Sequence, residues 1–439
     1  MKSLLPVAAL LSLAVAAPAH AATLRAAPQP RGNGQCSPAP NACTIQQAFA
    51  NAGTGDEIVL APGTYGSPAP YTSGLSMTMA NVRIHGTHGF PRPKIEFNDL
   101  ADTPVSITGA GDRLEYVDIH NRASMGLRLA GGSTASQVFV RADGSASTAY
   151  TCEITSGRLD NSVCWKPAES GAAAATVADC AGSASVVYRN VTLVGRGSGA
   201  TGLTVRAFCG NTADARATNV IARGGEWGFH VGGGGTGASA TLHADHSNYS
   251  SEFDTGAANA SFFDDGGGNQ AGQPVLFVNT SVGNFRERPN SPTVNKGISA
   301  AANGPRDLGD APRARGASTD IGAFELQPPP TCTLRPKTNR ATPQGKVQVV
   351  ARCTQAASVT VRGTVKRKRK NTSPKVYALK PVTVSVAANV AKVVALELPP
   401  EALSKLRDGA SESATFTLRA TNANGAGTAS TSIDKIAID

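Results

Sequence analysis

Four asparagines in the middle of the chain recur at a constant interval of 29 residues; they are Asn161, Asn190, Asn219 and Asn248. The segments that contain them, such as "LDNSVCW" and "VVYRNVTLVG", are otherwise unlike one another. Repeats of this length, built from short strands and turns, predict a solenoid, because each coil buries its apolar face only against its neighbours. A corner asparagine can donate and accept through its amide to its counterparts above and below. The period therefore predicts an all-β chain that begins with a right-handed parallel β-helix and carries an asparagine ladder.

A second repeat, out of phase with the asparagines, supports the same fold. Gly126, Gly202 and Gly228 begin the segments "GLRL", "GLTV" and "GFHV", and each follows a short apolar strand. The alternative is an ordinary β-sandwich with asparagine in its turns, which would not keep one spacing over four positions. The segment "TIQQAFANA" reads as the one helix of this region, with Ile45 and Phe49 on one face.

The chain opens with one lysine, an apolar run and the small-x-small sequence Ala19-His20-Ala21. This pattern predicts that residues 1–21 are a secretory signal peptide. No other apolar run approaches the roughly 18 residues that a transmembrane helix needs, so we expect no membrane span. The expected location is secreted and extracellular, with cell-wall association as an open alternative.

Eight cysteines fit an oxidising compartment. They are Cys36, Cys43, Cys152, Cys164, Cys180, Cys209, Cys332 and Cys353. None forms a Cys-x-x-Cys motif, which argues against a zinc or redox site. The first two and the last two are isolated local pairs. Cys180 and Cys209 are again 29 residues apart, so stacked coils would bring one over the other, within the distance of a disulfide. Cys152 would then pair with Cys164 within an insertion. A Cys152–Cys180 bridge is the rival pairing.

Both ends of the long domain resemble a known family. The segment "CTIQQAFANAGTGDEIVLAPGTY" resembles the entry of pectin lyase-like β-helix proteins, and "DIGAFE" at Asp320–Glu325, preceded by Arg313, is similar to the closing segment of choice-of-anchor Q proteins. The resemblance implies a secreted or surface-held β-helix over residues 36–326 with an N-terminal capping helix. It supplies no catalytic residues, and the chain has Asn295 where the family usually has aspartate. A closing ion pair is the simplest role for Arg313 with the two acids.

Candidate site residues in the long domain cluster in "GFHVGG", "TLHADHSNY" and "FFDDGGG". The catalytic candidates are His230, His243, Asp245 and His246, and the alternative is a solvated strand face. Asp264 and Asp265 are candidate Ca²⁺ ligands, and the alternative is ordinary turn chemistry. We expect no other cofactor.

Charge divides the chain at the Pro-rich linker 327–331. Residues 331–439 hold 18 Lys and Arg against 6 Asp and Glu, whereas residues 1–330 hold 23 against 25. Alternating runs over 332–439 predict a small basic antiparallel β-sandwich, Ig-like or fibronectin-like. A hairpin tip in it carries the candidate polyanion-binding residues Lys366, Arg367, Lys368, Arg369 and Lys370. A solvated loop is the alternative, and the scarcity of aromatic residues argues against specific nucleic-acid binding.

Three functions from different classes remain open for this sequence. The first is a secreted, monomeric, non-catalytic β-helix that binds or decorates extracellular or cell-wall polysaccharide, with the basic domain as its attachment module. The second is a polysaccharide lyase or glycoside hydrolase that acts in a groove of the β-helix. The third is a structural spacer or adhesin. A fold alone does not decide between them.

Overall fold

The structure is a computed structural model that describes residues 21–98, 104–123, 125–144, 150–167, 170–255, 261–367, 373–407, 412–422 and 424–438. The expected signal peptide, except its last residue, and Lys368, Arg369 and Lys370 of the basic hairpin tip lie outside the described residues. The chain forms two compact units. The first contains residues up to 273 together with 295–314 and 321–323; the second contains 274–294, 315–320 and 324–439. Each unit is therefore discontinuous in sequence, and the boundary predicted near residue 326 stays a prediction.

The first unit is a right-handed parallel β-helix, as predicted, with three long parallel sheets. The ten-stranded sheet contains β1 (Thr23–Ala26), β2 (Glu57–Leu60), β5 (Arg83–His85), β8 (Arg113–Glu115), β11 (Ser133–Ser136), β14 (Ser156–Asp160), β17 (Ala184–Arg189), β20 (Thr212–Thr218), β23 (Ser239–Asp245) and β26 (Ser261–Asp265). The nine-stranded sheet contains β3 (Thr64–Tyr65), β6 (Lys94–Phe97), β9 (Asp118–Asn121), β12 (Phe139–Ala142), β15 (Val163–Lys166), β18 (Thr192–Gly195), β21 (Ile221–Arg223), β24 (Asn248–Tyr249) and β27 (Gln270–Ala271). The eight-stranded sheet contains β4 (Leu75–Met77), β7 (Val105–Ile107), β10 (Leu127–Leu129), β13 (Tyr150–Ile154), β16 (Ser170–Ala178), β19 (Gly199–Phe208), β22 (Trp227–Gly234) and β25 (Glu252–Asp254).

Each coil contributes one strand to each sheet, so hydrogen-bonded neighbours are three strands apart along the chain. Inward side chains form apolar rows in which equivalent residues stack. Leu127, Leu203 and Phe229, which follow the repeat glycines, lie in one such row and are fully buried. Only glycine fits at the positions of Gly202 and Gly228, because a Cβ on either would lie within 2.7 Å of backbone atoms of the next coil. The second sequence repeat is thus the repeat of the core row.

The N-terminal end of the solenoid is covered by the predicted helix, α1 (Ile45–Asn51). Thr44 caps it through a capping box with Gln47, and the buried side chains are Ile45, Ala48 and Phe49, as the pattern indicated. Strand β1 pairs with β2, so the solenoid begins at Thr23, earlier than the predicted residue 36.

Three of the four periodic asparagines occupy one corner of successive coils. Asn161, Asn190 and Asn219 are buried and have positive φ angles of 47°, 54° and 56°. Asparagine tolerates this left-handed conformation better than most residues. The next residue in the row is His246, with φ 45°, and not Asn248, which pairs with Ile221 two positions further along. The prediction for Asn248 is therefore wrong.

The error has a simple geometric cause. The pairs Val163↔Thr192 and Thr192↔Ile221 keep the offset of 29 residues. In the next coil the turn between β21 and β22 is three residues shorter than its counterpart between β18 and β19, because Val194 pairs with Arg223 but Thr201 pairs with Trp227. The turn before β23 is one residue longer, which leaves that coil two residues short of the period.

The corner amides bind a return segment, residues 295–314, more than they bind one another. Asn161 and Asn190 donate through Nδ2 to the carbonyl of Asn303, at 2.9 and 3.5 Å. Asn219 accepts from the Ile298 N–H at 2.7 Å and donates to the Ile298 carbonyl at 3.0 Å. Within the described part of the chain, one bond joins two ladder amides, from Asn219 Nδ2 to Asn190 Oδ1 at 2.9 Å. The row is thus chiefly a docking line for backbone.

The same segment continues toward the first coils. Gln137 donates to the carbonyl of Asp307 at 2.7 Å, and Arg92 donates to the carbonyl of Leu308 at 2.5 Å. At its far end Asp310 meets His88 Nδ1 at 2.8 Å. The segment therefore crosses many coils along the corner and ties them together.

All eight cysteines form disulfides; the pairs Cys36–Cys43, Cys180–Cys209 and Cys332–Cys353 are confirmed, and Cys152 pairs with Cys164 and not with its rival partner Cys180. Cys180 and Cys209 lie on adjacent coils with Cα atoms 5.1 Å apart, as the period required. Cys152 and Cys164 lie on β13 and β15 of one coil and are both fully buried, so their bridge crosses the core and not an insertion.

The second unit contains one nearly closed β-sheet of seven strands in the region where the sequence predicted a small antiparallel sandwich; the Ig-like or fibronectin-like type stays a prediction. A hairpin of β28 (Phe277–Asn279) and β29 (Asn284–Glu287) also belongs to this unit. The seven strands are β30 (Cys332–Ala341), β31 (Lys346–Cys353), β32 (Ala357–Arg367), β33 (Lys375–Val386), β34 (Lys392–Glu397), β35 (Glu412–Asn422) and β36 (Gly425–Ile438). Their order is β33-β32-β35-β36-β30-β31-β34, antiparallel except for β30 with β36. Helix α2 (Pro400–Arg407) lies between β34 and β35 in sequence.

Among the described residues no helix is both long and apolar enough to span a bilayer.

We predict that Asn219→Gly lowers the free energy of unfolding by about 1–3 kcal/mol, because it leaves the half-buried Ile298 N–H without its acceptor. Glycine retains the positive φ angle, so the effect reports the lost amide and not backbone strain. Urea unfolding of the full chain measures it. The matched control is Asn389→Gly, an exposed residue with φ 58°. Equal effects of the two substitutions would contradict the docking role of the corner amide.

Candidate functional site

The predicted histidine cluster is divided between two sheets. His243 lies on β23 of the ten-stranded sheet, whereas His230 lies on β22 of the eight-stranded sheet. Because each coil changes direction between sheets, sequence neighbours on consecutive strands face different sides of the solenoid. The catalytic candidates His230 and His243 therefore do not belong to one site.

His243 stands in a row of charged side chains on an exposed strand face. Its Nδ1 lies 2.6 Å from Asp264 Oδ2, and its Nε2 lies 3.6 Å from Asp214 Oδ1. Asp245 instead pairs with His246, at 2.6 Å. The three side chains of the His243 row are 38–45% exposed. This arrangement is an open strand face, and the catalytic assignment of these residues stays a prediction.

The two candidate calcium ligands are engaged in local bonding. Asp264 contacts His243, and Asp265 Oδ1 accepts from the Gly267 N–H at 2.9 Å and from Asn269 Nδ2 at 2.5 Å. Over the described ranges, no group of three or more His, Cys, Asp or Glu side chains is placed to hold a metal ion. The Asp265 contacts are those of a turn, whereas Asp264 bonds across strands to His243, and the Ca²⁺ assignment stays a prediction.

A cleft of about 270 Å³ lies on the eight-stranded sheet, across β13, β16, β19 and β22. Its floor consists of small residues, and larger side chains form its walls. The floor contains Gly171, Ala172, Gly199, Thr201 and Thr204, and the walls contain Tyr150, Arg206, Glu226, Trp227 and His230.

The cleft is a direct result of strand register. Tyr150, Ala172, Thr201 and Trp227 are paired in one row, so two aromatic residues stand at the ends of a row whose middle is small. Parallel strands are about 4.8 Å apart, which places the two aromatic positions roughly 14 Å from one another along the sheet. The concavity is therefore long enough for an extended ligand.

An aromatic cluster extends from Trp227 and His230 of the cleft wall to Phe253 beside it. Trp227 stacks on Phe253 of the next coil with ring centroids 4.9 Å apart and an interplanar angle of 27°. His230 meets the edge of the same phenyl ring at 5.4 Å. Phe253 is 39% exposed, so apolar surface is presented beside the cleft. Aromatic faces of this kind suit the C–H faces of sugar rings.

Burial and the nearby Arg206 shift the pKa values of two side chains in the cleft wall, His230 and Tyr150. Burial lowers the pKa of His230, Arg206 lowers it further, and Glu226 opposes the shift. Burial raises the pKa of Tyr150, against the opposing effect of Arg206. Near neutral pH the cleft thus offers a neutral imidazole and a neutral phenol as hydrogen-bonding groups, with Arg206 as a fixed cation.

Sequence reasoning found His230 but missed the other walls of the cleft. The available signal was the second repeat: Thr201 and Trp227 each stand directly before a repeat glycine, so alignment of "TGLTV" with "WGFHV" places them in one row. The sequence gives no such signal for Phe253 and Tyr150, because the residues that pair with them on adjacent coils depend on the lengths of the turns between.

No protein-family model and no curated protein matches this chain. Among solved structures, the chain is similar to the crystal structure of pectate lyase Pel9A, with a TM-score of 0.38 and 16% sequence identity. That similarity covers 69% of this chain and 96% of the other chain.

We predict that the lowered pKa of His230 makes the protein less stable in acid. At pH values above the usual histidine pKa, the His230 imidazole is neutral in both the folded and the unfolded chain. It then contributes no pH dependence to the free energy of unfolding. As the pH falls through about 6.5, the unfolded chain binds a proton that the folded site resists, at about 1.4 kcal/mol per unit of pKa shift. His230→Gln should reduce the loss of unfolding free energy between about pH 7.5 and about pH 5. His243→Gln, on the ten-stranded sheet, is the control; an equal reduction there would count against this assignment.

Proposed function

We propose that this protein is a secreted, non-catalytic β-helix that binds extracellular polysaccharide in the cleft of the eight-stranded sheet. The observation that carries the proposal is the stacked pair Trp227 and Phe253 beside a floor of small residues. Sugar rings have apolar C–H faces and a rim of hydroxyls, and this cleft offers aromatic surface together with hydrogen-bonding groups. The four disulfides fit an extracellular protein.

A polymer suits the cleft better than a small metabolite does. The row from Tyr150 to Trp227 runs across four coils, so its long axis follows the solenoid axis. Arg206, Glu226, Thr201 and Thr204 provide donors and acceptors along that axis. A chain of sugar rings can lie along such a row and use each coil in turn.

Binding without hydrolysis fits the charges of the lining. Glycoside hydrolysis generally uses two carboxyl groups that flank the scissile bond. Among the described residues that line the cleft, Glu226 is the single carboxylate. Arg206 provides a cation near it but no second acid.

A polysaccharide lyase is the second candidate, and one observation favours it. The cleft holds a neutral imidazole that could accept a proton, a neutral phenol that could donate one, and Arg206, which could neutralise a uronate carboxylate. These are the groups that β-elimination requires. A spacer or adhesin, the third possibility, would need neither the aromatic wall nor the cleft.

The basic second unit serves, in this proposal, as the attachment module for an acidic wall polymer or glycan. Lys366 and Arg367 are the last residues of β32, and β33 begins at Lys375, so the predicted basic tip follows a paired hairpin. Cations grouped in this way attract a polyanion and are screened by salt.

We predict that Trp227→Ala and Phe253→Ala each weaken binding of neutral and acidic polysaccharides by about tenfold, because each removes about 1–2 kcal/mol of stacking. Affinity electrophoresis in gels that contain plant and bacterial polysaccharides measures the effect. Phe262→Ala is the matched control, since this phenyl is 57% exposed on the ten-stranded sheet. Equal losses for Phe253→Ala and Phe262→Ala would refute binding in the cleft.

Ultraviolet absorbance of the same mixtures separates binding from elimination. Accumulation of unsaturated uronate products that His230→Gln abolishes would replace the non-catalytic proposal with the lyase. Binding without products supports the proposal as stated. If no polysaccharide binds, the spacer is the better description.

We predict that replacing Lys366, Arg367, Lys368, Arg369 and Lys370 by serine weakens binding to acidic polysaccharide at low salt without loss of thermal stability. The five cations repel one another, and a polyanion relieves that repulsion, so the difference should disappear as salt screens charges beyond about 8–10 Å. Binding curves at several salt concentrations test this. Unchanged affinity of the substituted protein would show that this hairpin tip is not the attachment site.

A further inference from the structure

The outward face of the sheet formed by β33, β32, β35 and β36 has an unusual composition. Its side chains lie in four rows across the strands. The rows are Ser385–Ser358–Thr421–Ala426, Thr383–Thr360–Arg419–Thr428, then Arg362–Thr417–Ser430, and Ala378–Thr364–Thr415–Ser432. Almost every position is serine, threonine or arginine, and nearly all of them are exposed. We call this surface the hydroxyl–arginine face.

Charge on this face has one sign. Arg362 and Arg419 lie in adjacent rows, and Lys366 follows at the end of β32. None of the four rows contains an acidic residue, and Asp434 lies beyond the last of them. An open depression of about 570 Å³ runs over the centre of the face and is lined by both arginines. Such a face attracts anions and presents no carboxylate to repel them.

We propose that the hydroxyl–arginine face is the surface on which the second unit holds an acidic polysaccharide. This inference rests on the proposed attachment function and moves its principal site from the hairpin tip to a rigid sheet. The shared chemistry of the ligand is a carboxylate, sulfate or phosphate group repeated along a hydroxyl-rich polymer.

Geometry favours a polymer with repeated anions. Arg362 and Arg419 are diagonal neighbours on adjacent strands, and such positions are about 7–8 Å apart at their Cα atoms. Each guanidinium can form a paired hydrogen bond to one anionic group, and Lys366 extends the positive line. Threonine and serine hydroxyls between the cations can donate to and accept from sugar hydroxyls.

A polysaccharide fits this face better than a nucleic acid does. Unpaired bases need aromatic or apolar platforms on which to stack. The four rows contain no aromatic side chain, and Tyr377, on β33, is 7% exposed. A flat surface of hydroxyls and guanidinium groups provides hydrogen bonds to sugars and charge for their anions, without a stacking surface.

The test uses the full chain, with alginate as the carboxylated probe, dextran sulfate as the sulfated probe, and single-stranded DNA as the competitor class. The double variant Arg362→Ser with Arg419→Ser should weaken binding of at least one of the two polysaccharides by about tenfold or more at low salt. The salt dependence of its remaining binding should be shallower, because fewer counterions are released on association.

The matched control is Arg335→Ser with Arg352→Ser, two exposed arginines on β30 and β31. It removes the same charge, so an equal loss would mean that diffuse net charge, and not this face, is responsible. Arg419→Gln, which removes the charge and retains a shorter polar side chain, is the alternative variant if the double variant is unstable, and it should also weaken binding at low salt.

Further arms separate the possible failures. Trp227→Ala tests binding in the cleft, and the loss of polysaccharide affinity that it causes should persist in high salt. A failure of the cleft proposal is therefore detected separately from a failure of the face proposal. If the hairpin-tip substitution abolishes binding of both polysaccharides while Arg362→Ser with Arg419→Ser changes nothing, the face proposal is wrong and the attachment function survives. DNA that binds more tightly than either polysaccharide, with the same dependence on Arg362 and Arg419, would overturn the choice of ligand.

Discussion

Backbone hydrogen bonding between successive coils is the interaction on which the first unit depends. Parallel pairing holds equivalent residues about 4.8 Å apart, so any side chain repeated at the coil period contacts its own counterpart. This produces the apolar row of Leu127, Leu203 and Phe229 and brings Cys180 to Cys209. The same regularity leaves the corners as the positions where polar groups must be satisfied. The return segment, residues 295–314, meets that requirement by bonding to Asn161, Asn190 and Asn219.

The cleft is a consequence of the same stacking. A row of large side chains along the eight-stranded sheet would give a ridge, whereas Ala172 and Thr201 between Tyr150 and Trp227 give a hollow. The walls then bury the imidazole and the phenol enough to shift both pKa values toward the neutral forms. A binding surface of this kind requires no special backbone, only small residues in two successive coils.

In our proposals the two units bind ligands through different kinds of interaction. The cleft relies on aromatic stacking, which salt affects little, together with hydrogen bonds from its lining, Arg206 and Glu226 included. The hydroxyl–arginine face relies on Arg362 and Arg419, whose attraction for anions falls as ionic strength rises. A polymer with both neutral stretches and anionic groups would therefore engage each unit by a separate mechanism. Linking two weak sites on one chain raises the overall affinity when the geometry permits both contacts.

The sequence alone determined the solenoid, its capping helix, the two local disulfides at either end and the all-β character of the second unit, and it left Cys152 with two possible partners. These features follow from local patterns and from one period, and the period is a property of backbone stacking. Tertiary structure decided the exclusion of Asn248 from the corner row, the separation of His230 from His243, and the assembly of Tyr150, Trp227 and Phe253 around the cleft. The histidines are separated because consecutive strands of a coil belong to different sheets. The other two features depend on turn lengths, because adding or deleting turn residues changes which later residue stands above an earlier one. Turn lengths vary with little effect on the core, so a periodic pattern predicts the coils but not the register of each side chain between them.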